Sequence, residues 1–434
     1  MGSRRAGGVS PAEAACCVRT RDTLGLPLGT GQPLSFLHAL GEREAYADLT
    51  VFAALLSAPF SVFHRPGVRL RSGFFGPCER ADHAAGHPVA FVPAGFREFV
   101  QILARMAPRV MATAAAPPDA DGFCSLSLHA GATVDELHRA GADPERLLVV
   151  EVHEGLPRTH GRPPEHPHRI HRDEIDVLVE GRHPPLALPD PKPTEVERAI
   201  ARAALRYVPA GATLQTGIGG APSQLASLLA ARPGGGYGVH SEMFTDGLMA
   251  LHRAGKVTNA KGVYDGTSIA TFAAGSRELY AWLDGREEVR FLPVDAVNTP
   301  SVISANRRMV SINAALAVDL DGQVAADTIG RTQYSGIGGH EDFTAGASLA
   351  ADGRSLVCLP STARVGGRAI SRIQAAFRDG TRVTTPRHQT DLVVTEYGAA
   401  ELQGASEDER AHALIAIAHP DHRSALAAAW SRRE

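Results

Sequence analysis

A strand that ends in glycines and runs directly into a helix recurs along this chain, and the repeat constrains the fold more than any other feature. Near the N-terminus, apolar residues 24–28 lead through Gly29-Thr30-Gly31 into a helical pattern at Leu34–Leu40. Further on, strand-like Thr213–Thr216 leads through Gly217-Ile218-Gly219-Gly220 into a second helical pattern. Strand, glycine turn and helix in succession predict an α/β fold with open, mostly parallel sheets.

A proline-rich segment divides the sequence into two such regions. Five prolines fall between His183 and Pro193, which excludes a helix there and favours an extended spacer. Directly after it, Thr194 and Glu197 have the spacing of a helix capping box. We therefore predict an N-terminal α/β domain at 1–183, a linker at 184–193 and a C-terminal α/β domain at 194–434.

Composition excludes several classes of protein. The chain is 44% hydrophobic and 21% charged with a formal charge of −3, which gives no support to nucleic-acid or polybasic membrane binding. Neither an apolar run of about eighteen residues nor a signal peptide after Arg4 and Arg5 is found. Five cysteines without a Cys-x-x-Cys pair argue against a disulfide framework. We expect a soluble, cytoplasmic protein.

The histidine-rich stretch from His153 to His171 invites a metal-site interpretation. It holds five histidines but no His-Glu-x-x-His or comparable ligand spacing, and four prolines interrupt it. A solvated loop is the favoured interpretation, and no metal or redox cofactor is predicted.

The glycine tetrapeptide itself occurs twice, at 217–220 and at 336–339. Consecutive glycines at a helix start expose backbone N–H groups, which can hold a phosphate or form an oxyanion hole. The alternative is a tight strand-to-helix turn without chemistry. A dinucleotide fingerprint is a weak match because Pro222 stands at its third glycine position. Neither a P-loop nor a Gly-x-Ser-x-Gly elbow is present.

Glu242 is the candidate nucleophile. It follows the apolar pair Gly238-Val239 at a predicted strand end, about twenty residues after the first glycine loop. A glutamate with an ordinary pKa of about 4.3 is ionised at neutral pH, so it needs no base to attack an activated acyl carbon. The alternative is a solvated charge at the end of a strand.

Together these motifs resemble the acetyl-CoA hydrolase/4-hydroxybutyrate CoA-transferase family of class I CoA-transferases. The resemblance runs from about residue 11 to the end and is densest in the second domain. It is carried by Gly217-Ile218-Gly219-Gly220, His240-Ser241-Glu242-Met243, Phe291-Leu292-Pro293-Val294-Asp295, Met309-Val310-Ser311-Ile312-Asn313, the run from Tyr334 to Phe343, Val394-Thr395-Glu396-Tyr397-Gly398 and Ile417-Ala418-His419-Pro420.

The resemblance implies two related open α/β domains of the CoA-transferase/NagB-like kind, with the active site between them. It implies that Glu242 attacks an acyl-CoA and then carries CoA as a glutamyl thioester in a ping-pong transfer between small carboxylic acids of the acetate, butyrate, 4-hydroxybutyrate or succinate class. Coenzyme A is then the acyl carrier, and a homodimer would fit. Acyl-CoA hydrolysis by the same glutamate is the alternative, and a non-catalytic acyl-CoA-binding protein is a third reading.

Site residues also follow from the resemblance. Gly219 and Gly220 are expected to form the oxyanion hole. The expected substrate-binding residues are Gly217, Ala221, Pro222, Ser223, Asn313, Gly336, Gly338, Gly339, His340 and Arg364. Many relatives carry Gln at the position of His340, and this departure leaves open whether His340 affects acceptor choice or is a structural hydrogen-bonding residue.

Overall fold

The computed structural model describes residues 8–189, 192–217 and 219–433. Arg4, Arg5, Asp190, Pro191 and Ile218 lie outside the described residues. The chain forms two compact units: unit 1 comprises Met1–Leu188 and Ile269–Val297, and unit 2 comprises Pro189–Ser268 and Asn298–Glu434. The boundary where the chain first passes from unit 1 to unit 2, after Leu188, falls within the predicted linker at 184–193. Residues 269–297, which we predicted in the C-terminal domain, belong instead to unit 1.

The first stretch of unit 1 alternates strands and helices. Its helices are α1 (Pro11–Ala15), α2 (Leu34–Leu40), α3 (Pro77–Ala84), α4 (Phe99–Met106) and α5 (Val134–Ala142). Its strands are β1 (Arg21–Leu28), β2 (Asp48–Ala54), β3 (Val68–Ser72), β4 (Val89–Phe91), β5 (Val110–Ala115), β6 (Phe123–Ser125), β7 (Leu147–Val152), β8 (Arg169–His171) and β9 (Val177–Glu180).

The central sheet of unit 1 has the strand order β4-β3-β2-β1-β5-β7-β9, and all neighbouring strands are parallel. The central strand β5 is buried at every position, as expected of a parallel strand covered on both faces, whereas β3 near the edge alternates buried and exposed residues. The histidine-rich stretch is partly ordered by β8, which pairs with β6.

The chain then enters unit 2 through α6 (Glu195–Ala204), whose N-terminus has the predicted capping box of Thr194 and Glu197. The elements that follow are β10 (Thr213–Thr216), α7 (Gly220–Ala231), β11 (Gly238–Val239), β12 (Met243–Phe244) and α8 (Asp246–Arg253).

Residues 269–297 return to unit 1, where backbone hydrogen bonds hold them. Thr271 accepts from the amides of Ala130 and Gly131, and Phe291 donates to the carbonyl of His160. This tertiary pairing leaves no local pattern in the sequence, so the return was not predicted. The elements here are β13 (Ser268–Ala270), β14 (Phe272–Ala273), α9 (Arg277–Leu283), β15 (Val289–Phe291) and α10 (Val294–Val297).

The last stretch completes unit 2. Its helices are α11 (Pro300–Ser304), α12 (His340–Leu349), α13 (Glu407–Ala416) and α14 (Pro420–Trp430). Its strands are β16 (Met309–Ala314), β17 (Ala317–Asp319), β18 (Val324–Ala325), β19 (Thr328–Ile329), β20 (Thr332–Gln333), β21 (Arg354–Cys358), β22 (Thr362–Val365), β23 (Arg368–Ser371), β24 (Ile373–Gln374), β25 (Leu392–Thr395) and β26 (Gly398–Glu401).

The central sheet of unit 2 has the strand order β11-β10-β16-β21-β25-β26. The first five strands are parallel and only β26 runs antiparallel to its neighbour. The predicted α/β class with mostly parallel sheets is therefore confirmed in both units. Among the described residues, no helix combines the length and the apolar character needed to cross a membrane.

We predict that Leu356→Ala lowers the free energy of unfolding by about 2–5 kcal/mol, because it opens a cavity in a closely packed interior. Leu356 is fully buried in the central strand β21. Urea denaturation followed by circular dichroism measures the change. Leu349→Ala is the matched control, since Leu349 is 70% exposed. Equal losses in the two variants would contradict this account of the core.

Candidate active site

The site begins at the carboxyl edge of the unit 2 sheet, where adjacent parallel strands end side by side. Gly217 follows β10 and donates its N–H to the carbonyl of Ile312 in β16 at 3.4 Å. Ser241, just beyond β11, accepts from the amide of Thr216 at 3.3 Å. The strand order β11-β10-β16 thus brings the first glycine loop beside Glu242, the residue after Ser241.

The carboxylate of Glu242 is held by two donors from distant parts of the chain. Asn298 donates from Nδ2 to Oε2 of Glu242 at 2.6 Å. The backbone N–H of Gly339 is a second donor to this carboxylate. Gly339 approaches so closely that a Cβ atom built on it would collide with Oε2 of Glu242 and with Nδ2 of Asn298. Only glycine fits this contact without displacing the carboxylate.

Burial raises the pKa of Glu242 to about 7, and the negative charge of Asp342 adds to the rise, while the hydrogen bonds from Asn298 and Gly339 oppose it. The sequence argument had assigned Glu242 an ordinary pKa, and that expectation is wrong. Near neutral pH the carboxyl group is divided between its protonated and ionised forms. A poorly solvated carboxylate of this kind is a stronger nucleophile than an exposed one.

The second glycine loop ends at a helix N-terminus. Gly339 is the N-cap residue of α12 and, being glycine, provides no side-chain cap of its own. Gly338 has a φ of +58°, in the left-handed region that favours glycine. Gly336 is buried. The first-turn N–H groups of a helix lack intrahelical partners, and here the N–H of Gly339 is directed at Glu242.

The first glycine loop has the same sequence, but its Gly219 has a different backbone conformation from its counterpart Gly338. Gly219 is the N-cap residue of α7 with φ +135° and ψ 165°, a conformation essentially restricted to glycine. A Cβ on Gly220 would collide with the carboxylate of Glu197. Ala221, Pro222 and Ser223 continue the first turn of α7, where the N–H of Ser223 already donates to the carbonyl of Gly219 at 3.1 Å.

Asn313 lies near the end of β16 and is 8% exposed. Its Oδ1 accepts from Nε2 of Gln215 at 3.2 Å, and Oε1 of Gln215 accepts from the backbone of Ile312 at 3.0 Å. Among the described residues, Nδ2 of Asn313 has no hydrogen-bond partner. A buried amide donor of this kind is suited to a polar ligand atom.

His340 and Glu341 share one hydroxyl group. Nε2 of His340 lies 2.9 Å from Oγ1 of Thr385, which donates to Oε1 of Glu341 at 2.5 Å. Burial lowers the pKa of His340 to about 4, so the ring is neutral at pH 7. Burial also raises the pKa of Glu341 to about 7.

Arg364 is placed differently from the other predicted site residues. It is exposed on the hairpin of β22 and β23, opposite Ala369. Within the part of the chain that the structure describes, it makes no hydrogen bond or ion pair with another predicted site residue. Apart from Glu242, which lies between β11 and β12, the remaining predicted residues lie in the two glycine loops, the first turns of α7 and α12, or β16.

Several residues of the site were missed by the sequence analysis. Asn298 lies three residues beyond the quoted Phe291–Asp295 motif, and Asp342 lies inside the quoted Tyr334–Phe343 motif without drawing attention. The only signal in the sequence was a polar side chain in or near a quoted motif, an amide for Asn298 and a carboxylate for Asp342. Among the described residues, no group of three or more His, Cys, Asp or Glu side chains could hold a metal ion.

Comparison with known proteins shows similarity over nearly the whole chain. Residues 275–430 match the family described as the acetyl-CoA hydrolase/transferase C-terminal domain. The chain is 38% identical over 411 residues to the 4-hydroxybutyrate coenzyme A transferase of Clostridium kluyveri, covering 93% of this chain and 92% of the relative. It is 35% identical to the succinyl-CoA:cyclohexane-1-carboxylate CoA transferase of Geobacter metallireducens, covering 98% and 94%.

A solved structure is also similar throughout. RipA from Yersinia pestis superposes with a TM-score of 0.88 at 32% sequence identity, covering 98% of this chain and 97% of RipA.

We predict that Glu242→Gln changes the pH dependence of stability. With a pKa of about 7 when folded and an ordinary value of 4.5 when unfolded, Glu242 binds more protons in the folded state between these values. The contribution of Glu242 to the free energy of unfolding of the wild type therefore falls as pH rises through this window. Glutamine cannot ionise, so the variant gains stability relative to the wild type as pH rises, and the gain levels off above about pH 7.

Urea denaturation at a series of pH values from 4 to 9 measures this difference. Glu145→Gln, which changes an exposed carboxylate, is the control and should follow the wild type. A Glu242→Gln curve that stays parallel to that of the wild type across the window would contradict the burial of a titrating carboxyl at this position.

Proposed function

The chain belongs to the acetyl-CoA hydrolase/transferase family, and we propose that it transfers CoA from an acyl-CoA to a small carboxylic acid through a covalent thioester on Glu242. The observation that carries this proposal is the convergence of family motifs on one half-buried carboxylate. Asn298 and the second glycine loop contact Glu242, and the first glycine loop follows the adjacent strand. The two relatives described above, each aligned over more than nine-tenths of this chain, are named CoA transferases.

In the first half-reaction, an oxygen of Glu242 attacks the thioester carbonyl of the acyl-CoA. The carbon–sulfur bond breaks, so CoA leaves as a thiolate and an acyl-glutamyl anhydride remains. The thiolate then attacks the carbonyl carbon of Glu242. This step forms the glutamyl-CoA thioester and releases the first carboxylate.

In the second half-reaction, an acceptor carboxylate attacks the glutamyl thioester and expels the thiolate. The thiolate then attacks the acceptor's carbonyl carbon in the new anhydride. A new acyl-CoA leaves and the carboxylate of Glu242 is restored. Because the first product departs before the acceptor binds, the kinetics are ping-pong.

Two sets of donors suit the two kinds of tetrahedral intermediate. The N–H groups of Gly219 and Gly220 lie at the uncapped start of α7 and suit the oxyanion formed on the substrate. Asn298 already donates to Oε2 of Glu242 and Gly339 donates to the same carboxylate, so these two groups suit the oxyanion formed on Glu242 itself. One such donor is worth roughly 3–4 kcal/mol of transition-state stabilisation in comparable sites.

Substrate binding is assigned to the polar and glycine positions around these donors. Nδ2 of buried Asn313, which has no hydrogen-bond partner among the residues that the structure describes, suits an oxygen of the bound CoA or acyl group. The proposed contacts with CoA along the two loops and at the exposed hairpin involve Gly217, Ala221, Pro222, Ser223, Gly336, Gly338, His340 and Arg364. The carboxylic acids released and accepted are proposed to be small, as in the acetate to succinate range.

Hydrolysis of an acyl-CoA is the second candidate function. The matched family description includes hydrolases as well as transferases. If water instead of a carboxylate attacks the acyl-glutamyl anhydride or the glutamyl thioester, the same glutamate completes hydrolysis. A cytoplasmic location and a homodimer are further proposals, the first supported by the odd cysteine count and the second by the family resemblance.

We predict that Glu242→Gln and Glu242→Ala lower the rate of CoA transfer by more than about a thousandfold, because both remove the covalent nucleophile. Incubation with acetyl-CoA and acetate, succinate or butyrate, with thioester exchange and free thiol followed separately, measures the change. Borohydride should inactivate wild type treated with acyl-CoA, since it reduces the glutamyl thioester. Borohydride should not reduce residue 242 in the Glu242→Gln variant, because that variant forms no glutamyl thioester.

Glu145→Gln is the matched control and should retain activity, since Glu145 is an exposed glutamate of unit 1. Thiol release that does not depend on an acceptor would favour the hydrolase over the transferase. Near-full activity in either Glu242 variant would overturn the covalent mechanism altogether.

A further inference from the structure

Two consecutive buried threonines, Thr384 and Thr385, hydrogen bond to residues that flank or hold the segment 334–339, which contains the second glycine loop at 336–339. Thr384 is 7% exposed and Thr385 is fully buried. They lie more than forty residues beyond the loop in sequence, and the mechanism described above does not use either hydroxyl. Each one bonds to a different side of the loop.

Thr384 fixes the beginning of the loop through Asp327. Its Oγ1 donates to Oδ1 of Asp327 at 2.6 Å and accepts from the amide of Ala326 at 2.8 Å. The carbonyl of Asp327 accepts from the amides of Tyr334 and Ser335 at 2.8 and 3.0 Å. The position of the first loop residues therefore depends on the orientation of Asp327.

Thr385 fixes the residues that follow the loop. Its Oγ1 donates to Oε1 of Glu341 at 2.5 Å and lies 2.9 Å from Nε2 of His340. Since a hydroxyl has one proton and this proton goes to the carboxylate, the neutral His340 ring donates from Nε2. His340 and Glu341 are the first two residues of α12, directly after Gly339.

The threonine pair is itself attached to the interior of unit 2. The amides of Thr384 and Thr385 both donate to the carbonyl of Val324, at 2.7 and 3.2 Å, and the amide of Val324 donates back to Thr385 at 3.0 Å. Val324 is fully buried in β18, which pairs with β17. The pair is thus a rigid point from which both ends of the loop can be held.

We infer that Thr384 and Thr385 are positioning residues that hold the loop so that the N–H of Gly339 stays directed at the carboxylate of Glu242. The inference rests on the proposed function for its catalytic consequence. Gly339 leaves no room for a Cβ against Glu242, so a small displacement of the loop changes this contact. Hydrogen bonds weaken steeply as distance and angle depart from their preferred values.

Displacing the loop should change the reactivity of the Glu242 carboxylate more than the affinity for substrate. Without the Gly339 hydrogen bond, the anion of Glu242 and the oxyanion formed on it are both less stable, so kcat should fall while KM changes little. The acid limb of the pH–rate profile should move to higher pH. Asp342 faces Glu242, and Glu341, His340 and Asp327 face the threonines. All of these charged or titratable groups are kept in every variant.

The test compares Thr384→Val and Thr385→Val in the full chain with a matched control. Thr390→Val also removes a buried hydroxyl of unit 2, one that donates to the carbonyl of Gly322 at 2.7 Å. We expect each loop variant to lose about tenfold in kcat, with KM within about twofold of the wild type. Thr385→Ser restores the hydroxyl and should recover most of the loss, whereas Thr390→Val should behave like the wild type.

Hydrogen exchange of the segment 334–343, followed by mass spectrometry, gives a readout that does not depend on activity. Faster exchange in the Thr384 and Thr385 variants than in Thr390→Val supports the inference. Exchange, kcat and acid limb all equal to those of Thr390→Val overturn it. If the wild-type protein neither transfers CoA nor forms a thioester that borohydride can trap, the proposed function is overturned. The hydrogen-exchange rates alone then decide whether the threonines hold the loop in position.

Discussion

Burying a carboxylate beside backbone is costly unless donors replace the lost water, and the contact between Glu242 and Gly339 shows how this chain meets that requirement. Asn298 and the N–H of Gly339 donate to the group, yet its pKa still rises to about 7. The donors therefore hold the carboxylate in place without making it as stable as an exposed one. That balance suits a nucleophile, because part of the group is ionised near neutral pH while the anion is less stabilised than an exposed carboxylate.

The parallel sheet of unit 2 is what makes this contact achievable. Parallel strands with crossover helices place all their carboxyl ends at one edge, so loops far apart in sequence become neighbours there. β11 and β10 bring Glu242 beside the first glycine loop, and β16 adds Asn313 at the same edge. The second glycine loop is held at its two ends by Thr384 and Thr385, which are themselves bonded to Val324. Precision at Glu242 thus depends on side chains that do not touch it.

The repeated tetrapeptide shows how far local sequence can predict geometry. Both copies precede helices, as the sequence analysis expected. In the first copy, the N-cap Gly219 has a φ of +135°, and the next glycine packs against Glu197. In the second copy, the matching Gly338 has a φ of +58°, and the N-cap is one residue later at Gly339, which packs against Glu242. The shared sequence predicted glycine turns with accessible backbone N–H groups at both places, whereas the contacts of each copy with the surrounding structure selected its backbone conformation.

The sequence by itself determined the α/β class, the mostly parallel sheets and the capping box at Thr194, because these follow from local periodicity and short motifs, and it supplied Glu242 as the proposed nucleophile. Only the tertiary structure decided that residues 269–297 return to unit 1, that Asn298 binds the glutamate, and that the pKa of Glu242 is raised. The physical reason is that burial and hydrogen bonding between distant segments depend on strand order and register. No local pattern carries that information, because each partner is chosen by the packing of the whole unit.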